Sequence, residues 1–336
     1  MLSGLSVHAE ISDDWRFQLL KEQGMSSETS ALEKFQQSLT KPGEALDRAL
    51  KQLGSEKFDE REQAQKELQL MGQEILPSLL ELQKSGDPEV QERLEAIVRQ
   101  LEVGGRWTKD ALVRRAVASL LHDRKNPGKK DPKGTLFVEF FKKPNPSLQD
   151  GYQKLRYSAA KGMGGFVAKG MAQMKGQRVG DGDQRLLLFS KDLTGKSVFP
   201  DAFRVETKIG GRAGGQGAFH VGVSIGNIRA LFHPGYSTGA FRFERVDDNK
   251  HITNSMNMGF TPPTDKLLPM SIEVKRLQNG DVKLDVRITS GNDTFRASQT
   301  LKYAAIGKLE SIGLDRSGRT GGDAMFDDFV VDLGKP

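Results

Sequence analysis

The chain has 336 residues, with 50 Lys+Arg against 44 Asp+Glu for a formal net charge of +6, 37 glycines, 18 phenylalanines and no cysteine. Its length accommodates two buried cores, and the lack of cysteine excludes disulfides, thiolate nucleophiles and sulfur-ligated zinc while leaving the compartment open. No stretch reaches the roughly 20 apolar residues of a membrane-spanning helix, and the charge is uneven: residues 1–103 carry 12 Lys+Arg and 20 Asp+Glu, about −8, so the remaining 38 and 24 give about +14.

The start, MLSGLSVHAE, places Val7 and Ala9 ahead of Glu10 in the manner of a signal-peptidase site, although its apolar part is short and no basic residue opens it. Residues 1–12 are expected to be a disordered start or the remnant of an export signal. Exported (periplasmic or extracellular) is therefore the expected location, with the cytoplasm as the alternative, and whether Met1 is the native start stays open.

Residues 13–103 read as short antiparallel helices. LDRALKQLG ends on Gly54, and EKFDEREQAQKELQLMG carries Phe58, Ala64, Leu68 and Met71 at helical spacing before Gly72. EILPSLLELQKSGD follows, and then PEVQERLEAIVRQLE, with Asp87 as cap and Pro88 at the first helical position. The segments REQAQKEL, ILPSLLEL and DPEVQERLEAIV resemble the HEAT-like helical repeat. About one and a half units are visible, fewer than a free-standing solenoid needs. Residues 104–133 add a helix from Thr108 to His122 and a basic Pro/Gly/Lys linker.

From Gly134 the apolar period changes from 3.6 to 2. AFRVETKIGG sets Phe203, Val205, Thr207 and Ile209 against Arg204, Glu206 and Lys208, and AFHVGVSIG sets Phe219, Val221, Val223 and Ile225 against His220, Gly222 and Ser224. In MSIEVKRLQNGDVKLDVRIT the Asn279-Gly280 pair predicts a type I′ hairpin, after which Val282, Leu284, Val286 and Ile288 face inward. About ten strands of this kind predict two antiparallel sheets packed face to face. The fold class is thus multi-domain α plus β, with a short helical segment followed by an antiparallel β-sandwich.

LESIGLDRSGRTGGDAMFDDFVVDLG, with FRVETKI, FHVGVSIG and MSIEVKRL, resembles the concanavalin A-like lectin/glucanase jelly roll in its laminin G-like form, over residues 134–334. Preceded by HEAT-like helices, it is similar to large exported bacterial proteins. The resemblance implies a non-catalytic glycan-binding or interaction module, an anionic polysaccharide being the favoured ligand. The alternatives are a carbohydrate-active enzyme of the same fold, glycosidase or lyase, and a cell-envelope scaffold that binds protein.

Retaining glucanases of this fold need Glu-x-Asp-x-Glu, because alternate strand residues share a face and hold two carboxyls about 5.5 Å apart across the sugar. The nearest runs, Asp281-Lys283-Asp285 and Asp328-Val330-Asp332, lack the central acid and any glutamate. Glu244 and Asp247 fall on opposite faces. No nucleophile elbow, phosphate loop or HExxH is present. A lyase would draw on His220, His233, Tyr236, Arg229 and Arg242, a base beside a carboxylate neutraliser.

The stretch RALFHPGYSTGAFRFERV, residues 229–246, assigns Phe232, Phe241 and Phe243 to the core by alternation. His220, Asn227, Arg229, His233, Tyr236 and Arg242 remain as ligand-binding candidates on an exposed sheet face and its loop, since sugars are held by an aromatic platform, amides and charged hydrogen-bonders. The plainer reading of the loop is an ordered hairpin turn with Tyr236 packed over Pro234. Asp181 with Asp183, and Asp327 with Asp328, are oxygen-rich turns that would take calcium if they take a metal. Basic residues lie dispersed among the strands without interleaved aromatics, which disfavours nucleic acid as a partner and leaves polysaccharide or a cell-envelope protein.

Overall fold

The computed structural model describes residues 14–38, 42–71, 75–82, 88–104, 107–129, 131, 134–159, 163–176, 183–212, 219–235, 240–318 and 321–334. The signal-like start, Gly72, Asp87, Asp181 and Tyr236 lie outside the described residues. By its contacts the chain divides into two compact units, Met1–Pro132 and Lys133–Pro336.

The first unit is helical: α1 (Trp15–Glu22), α2 (Thr29–Ser38), α3 (Pro42–Leu53), α4 (Phe58–Met71), α5 (Leu76–Leu82), α6 (Pro88–Gly104) and α7 (Lys109–Lys125). Helices α3 to α6 close on one core that includes Ala49, Leu53, Ala64, Leu68, Leu79, Leu94 and Ile97. Ala64 and Leu68 form an i,i+4 pair on that face. Phe58 does not join them: six residues before Ala64, it is rotated away by about 240° and stays 60% exposed. Its ring lies beneath the guanidinium groups of Arg61 and Arg93 instead. Thr108 caps α7 by accepting from the Ala111 N–H at 3.2 Å. The helix runs to Lys125 rather than His122, and basic residues fill its last turn, where the helix dipole favours them. Arg16 of α1 meets Asp123 of α7 at 2.5 Å, and Arg124 donates to the Ser27 carbonyl at 2.6 Å.

The second unit is a β-sandwich. Its strands are β1 (Leu136–Glu139), β2 (Leu155–Ala159), β3 (Gly165–Ala168), β4 (Met171–Met174), β5 (Gln184–Phe189), β6 (Ala202–Arg212), β7 (Phe219–Ile225), β8 (Ile228–Phe232), β9 (Ala240–Arg245), β10 (Met256–Asn257), β11 (Leu268–Arg276), β12 (Val282–Ser290), β13 (Asp293–Leu301), β14 (Ser311–Gly318) and β15 (Asp323–Asp332). Two short helices, α8 (Ser190–Thr194) and α9 (Tyr303–Ile306), lie between strands. One sheet has the order β13-β12-β11-β6-β15-β4-β3, with β1 also paired to β15; the other runs β10-β9-β8-β7-β14-β5-β2. All strand pairs are antiparallel.

The inner faces follow the period of two. Val282, Leu284, Val286 and Ile288 are buried together with Phe203, Val205, Ile209, Phe219, Val221, Val223, Phe241 and Phe243 in a single core between the sheets. Such layering lets two half-apolar sheets remove their apolar faces from water at once. Near one end the Phe219 ring fills space that two glycines leave: a Cβ on Gly322 would stand 2.1 Å from it, and one on Gly211 2.6 Å.

Two local features depart from the sequence reading. The β11–β12 turn is closed by the Gly280 N–H donating to the Leu277 carbonyl at 2.9 Å and the Leu277 N–H donating to the Asp281 carbonyl at 2.7 Å. Gly280 has φ +85° but Asn279 is not among the positive-φ residues. That is a type I turn followed by a glycine bulge, not the type I′ turn, which needs positive φ at two successive residues. On β15 the register against β6 slips between Asp327 and Val330, with Asp328 at φ +48°. Asp328 reaches Lys208 at 2.5 Å, and at this bulge the far edge of β15 passes from β4 to β1.

Candidate functional site

The residues opposite the core on the seven-stranded sheet line up in rows set by the strand register. One row runs Leu187, Gly313, Ser224, Arg229, Glu244 across β5, β14, β7, β8 and β9; the next runs Arg185, Asp315, Gly222, Leu231, Arg242. A third pairs Ser317 with His220, whose ring stands edge-on to that of His233 with 5.1 Å between centroids. Alternation assigns these positions to an exposed face. The structure corrects that expectation for most of them: Ser224, Arg229, Leu231, Glu244, Asp315 and His220 are all buried, and only Arg185, Arg242 and His233 are partly accessible.

A charge cluster accounts for the burial. Arg229 meets Asp183 at 2.8 Å, Glu244 at 3.3 Å and Asp315 at 3.4 Å, and also donates to Asn249 Oδ1 and the Arg245 carbonyl. Glu244 then bridges to Arg242, whose Nη2 lies 2.7 Å from its Oε2. His251, in the segment after β9, approaches the same carboxylate at 3.8 Å. A guanidinium with several carboxylates can leave water because each charge finds a partner.

Protonation equilibria record the same environment. Burial raises the Asp315 carboxyl to about 6, against the opposing pull of Arg229. Burial, with the positive charge of Arg242 next, depresses the His220 imidazole to about 3. His233 is depressed as well, first by burial. Near neutral pH the face thus holds a neutral His220 and an ionised Asp315.

Not every polar atom here is satisfied. His220 Nδ1, Ser224 Oγ, Arg229 Nε, Arg242 Nε and Asp315 Oδ2 are all buried without a hydrogen-bond partner. Five such atoms on adjacent strands of one face are unusual, because leaving a buried polar group unpaired costs about 1–3 kcal/mol. The set mixes donors and acceptors, as a polyhydroxylated ligand would require.

Of the predicted site residues, His220, Arg229, His233 and Arg242 come together on this face. Asn227 sits in the β7–β8 turn, where its Oδ1 accepts from the Asp247 N–H at 3.1 Å and its carbonyl from Val246 at 2.8 Å. Tyr236 lies outside the described residues. His233 Nδ1 contacts the Pro234 carbonyl at 2.9 Å. Asp183, considered above as a calcium ligand, is an ion partner of Arg229. Asp327 accepts the Asp328 N–H at 2.8 Å, and burial raises its carboxyl to about 6. Among the described residues no group of three or more His, Asp or Glu is arranged to hold a metal.

Sequence reasoning passed over Ser224, Glu244 and Asp315 as site members. A signal for Asp315 existed: it alternates with Ile312 and Leu314, so it faces away from the core on a strand now seen to be central. For Glu244 the sequence suggests only a pairing with Asp247, which alternation places on the opposite face.

No family model matches the chain, and no curated protein matches it. Among solved structures it is similar to the carbohydrate recognition domain of Emp47p (TM-score 0.37, 11% identity, 62% of this chain and 100% of that chain). It is likewise similar to lectin UEA-II complexed with galactose (0.40, 8%, 59% and 97%) and to an alginate lyase Aly36B mutant in complex with alginate trisaccharide (0.38, 7%, 59% and 98%). At such TM-scores the reading of the site rests on this chain's own residues.

Proposed function

We propose that the sandwich is a non-catalytic carbohydrate-binding module that takes a glycan on the outer face of its seven-stranded sheet. The observation that carries this reading is the group of five buried, unpartnered polar atoms on adjacent strands: His220 Nδ1, Ser224 Oγ, Arg229 Nε, Arg242 Nε and Asp315 Oδ2. Vicinal hydroxyls both donate and accept; Ser224, Arg229 and Asp315 lie beneath the surface, so a sugar would meet the outer members of the set, Arg242 and His220. Arg229, held by three carboxylates, would be a positioning residue, whereas Arg242, with a side chain 16% exposed, stands at the accessible side. Arg242 and the half-buried Arg185 favour an anionic polysaccharide. An exported location belongs to the same proposal and rests on the N-terminal pattern and the type of ligand.

Catalysis is less well supported by the geometry. Asp183, Glu244 and Asp315 all face one guanidinium, which keeps their oxygens turned toward protein rather than toward a substrate.

A glycan array probed with the full chain tests the reading. Hits are expected among polysaccharides, stronger for anionic ones and weakened by salt. A blank array across neutral and anionic glycans contradicts it.

A further inference from the structure

We propose that β13 is a dimerisation edge: it pairs antiparallel with β13 of a second copy of this chain and joins the two eight-stranded sheets into one. The pairing does not depend on the glycan reading.

An edge strand carries a row of main-chain N–H and C=O groups without a neighbour, and proteins blunt it by shortening the strand or by adding proline, bulges or lysines. Most edges here are short. β1 and β3 have four residues each, β10 has two and β2 has five. β13 ends the eight-stranded sheet and is different. It runs nine residues, Asp293–Leu301, in unbroken register with β12, and contains no proline, glycine or lysine. Arg296, Ser298 and Thr300 are exposed.

The hairpin before it sets which groups point off the sheet. Ser290 pairs with Asp293 across Gly291 and Asn292, and of these two only Gly291 has positive φ, +60°, as a type II′ turn requires. In such a two-residue hairpin the closing residues exchange hydrogen bonds, and every second residue after them does the same. Phe295, Ala297 and Leu301 therefore spend their main-chain groups on β12, while Thr294, Arg296, Ser298 and Thr300 direct theirs outward. The Thr300 carbonyl accepts from the Gln299 side chain at 3.1 Å.

The strand is complementary to itself, which selects a second copy as the occupant. A two-fold axis at Ala297 sets Thr294 against Thr300 and Arg296 against Ser298 of the other copy, with about eight main-chain hydrogen bonds. Ala297, which meets its own copy at the axis, is small and uncharged. Thr–Thr pairs are favourable cross-strand neighbours. Charge matches at both ends, since antiparallel pairing brings the exposed Asp293 of each copy to the end where the other carries the exposed Lys302. Moving the axis to Arg296 sets two guanidinium groups opposite each other and disfavours that register. Because opposite residues share a face, the axis is perpendicular to the joined sheet and both seven-stranded sheets lie on one side of it. The two candidate glycan faces then point the same way, an arrangement that gains avidity on a repeating polymer; this consequence alone rests on the glycan reading.

The test is sedimentation equilibrium of the full chain from low micromolar to about 1 mM, with amide exchange followed on the same samples. The expected result is a concentration-dependent dimer. Exchange at Thr294 and Ser298 should slow as the dimer forms, whereas Phe295 and Ala297, already paired with β12, should stay slow throughout. Ser298→Lys places a lysine opposite Arg296 twice in the dimer but beside Asp285 within the chain. It should weaken the dimer roughly severalfold to tenfold without lowering the melting temperature of the dilute monomer. Ser298→Glu should tighten the dimer and lower that melting temperature. Ser298→Pro removes an outward N–H that β12 does not use, so it should abolish the dimer in a folded sandwich. A chain that stays monomeric to about 1 mM, or a dimer of equal affinity in Ser298→Lys and Ser298→Glu, overturns the pairing. Either result leaves the glycan reading intact, and a blank glycan array leaves the pairing intact.

Discussion

Protonating His220 is a perturbation whose size follows from its surroundings. Folding depresses the imidazole from its ordinary 6.5 to about 3, chiefly through burial. At about 1.4 kcal/mol per tenfold change in proton affinity, that is on the order of 5 kcal/mol at the limit. The folded pKa is lowered, so this stability is fully present above about pH 6.5. It is lost as pH falls toward 3, because only the unfolded chain takes the proton. Asp315 and Asp327 act in the opposite sense. Each is raised to about 6 in the folded state, so each favours the folded form as pH falls from 6 toward 4, and the wild-type profile is flattened there. Difference curves separate the groups. His220→Gln relative to wild type should gain stability steadily from about pH 6.5 to pH 4, whereas Asp315→Asn should gain most above pH 6 and least at pH 4. Calorimetry or circular dichroism is the right assay, since Trp15 and Trp107 both belong to the helical unit and fluorescence would follow that unit. A His220→Gln difference that does not vary with pH refutes the reasoning.

Other outcomes follow from packing. Arg229→Met should destabilise the sandwich by about 3–5 kcal/mol, because Asp183, Glu244 and Asp315 lose a shared partner while two of them stay buried; adding Asp315→Leu should recover part of that loss in the same melt. Gly322→Ala forces a methyl to 2.1 Å from the Phe219 ring and should cost roughly 1–3 kcal/mol by overpacking, read from the sandwich transition. Gly43→Ala in α3 meets nothing within 4 Å and should stabilise the helical unit by up to about 1 kcal/mol in thermal melts.

The sandwich was legible in the sequence because its inner faces obey one simple rule. Phe203, Val205 and Ile209 on β6, or Val282, Leu284 and Val286 on β12, alternate with polar residues and are buried as that pattern requires. The type of the Asn279-Gly280 turn is not legible, because both residues suit positive φ by composition and only the backbone decides that Gly280 alone adopts it. The site was legible only in part. His220, Arg229, His233 and Arg242 were recognisable as polar residues on one face. The burial of Arg229 was not, because it depends on Asp183, just before β5, and Asp315 on β14, both far away in sequence, and on Asn249 reaching Arg229 from a turn. Alternation reports which face a residue takes, whereas the charge partners across a sheet are set by strand order, a long-range property.

The central claim is that the outer face of the seven-stranded sheet binds glycan. Its most direct test compares the affinity of the full chain for an array-positive polysaccharide with that of two single variants. One is Arg242→Gln, on that face. The other is Lys283→Gln, on the eight-stranded sheet, where Lys283 pairs with Asp285 at 2.9 Å on the side away from the core. The account predicts a loss of roughly tenfold or more for Arg242→Gln and no change for Lys283→Gln. Full affinity in Arg242→Gln with a loss in Lys283→Gln would contradict it.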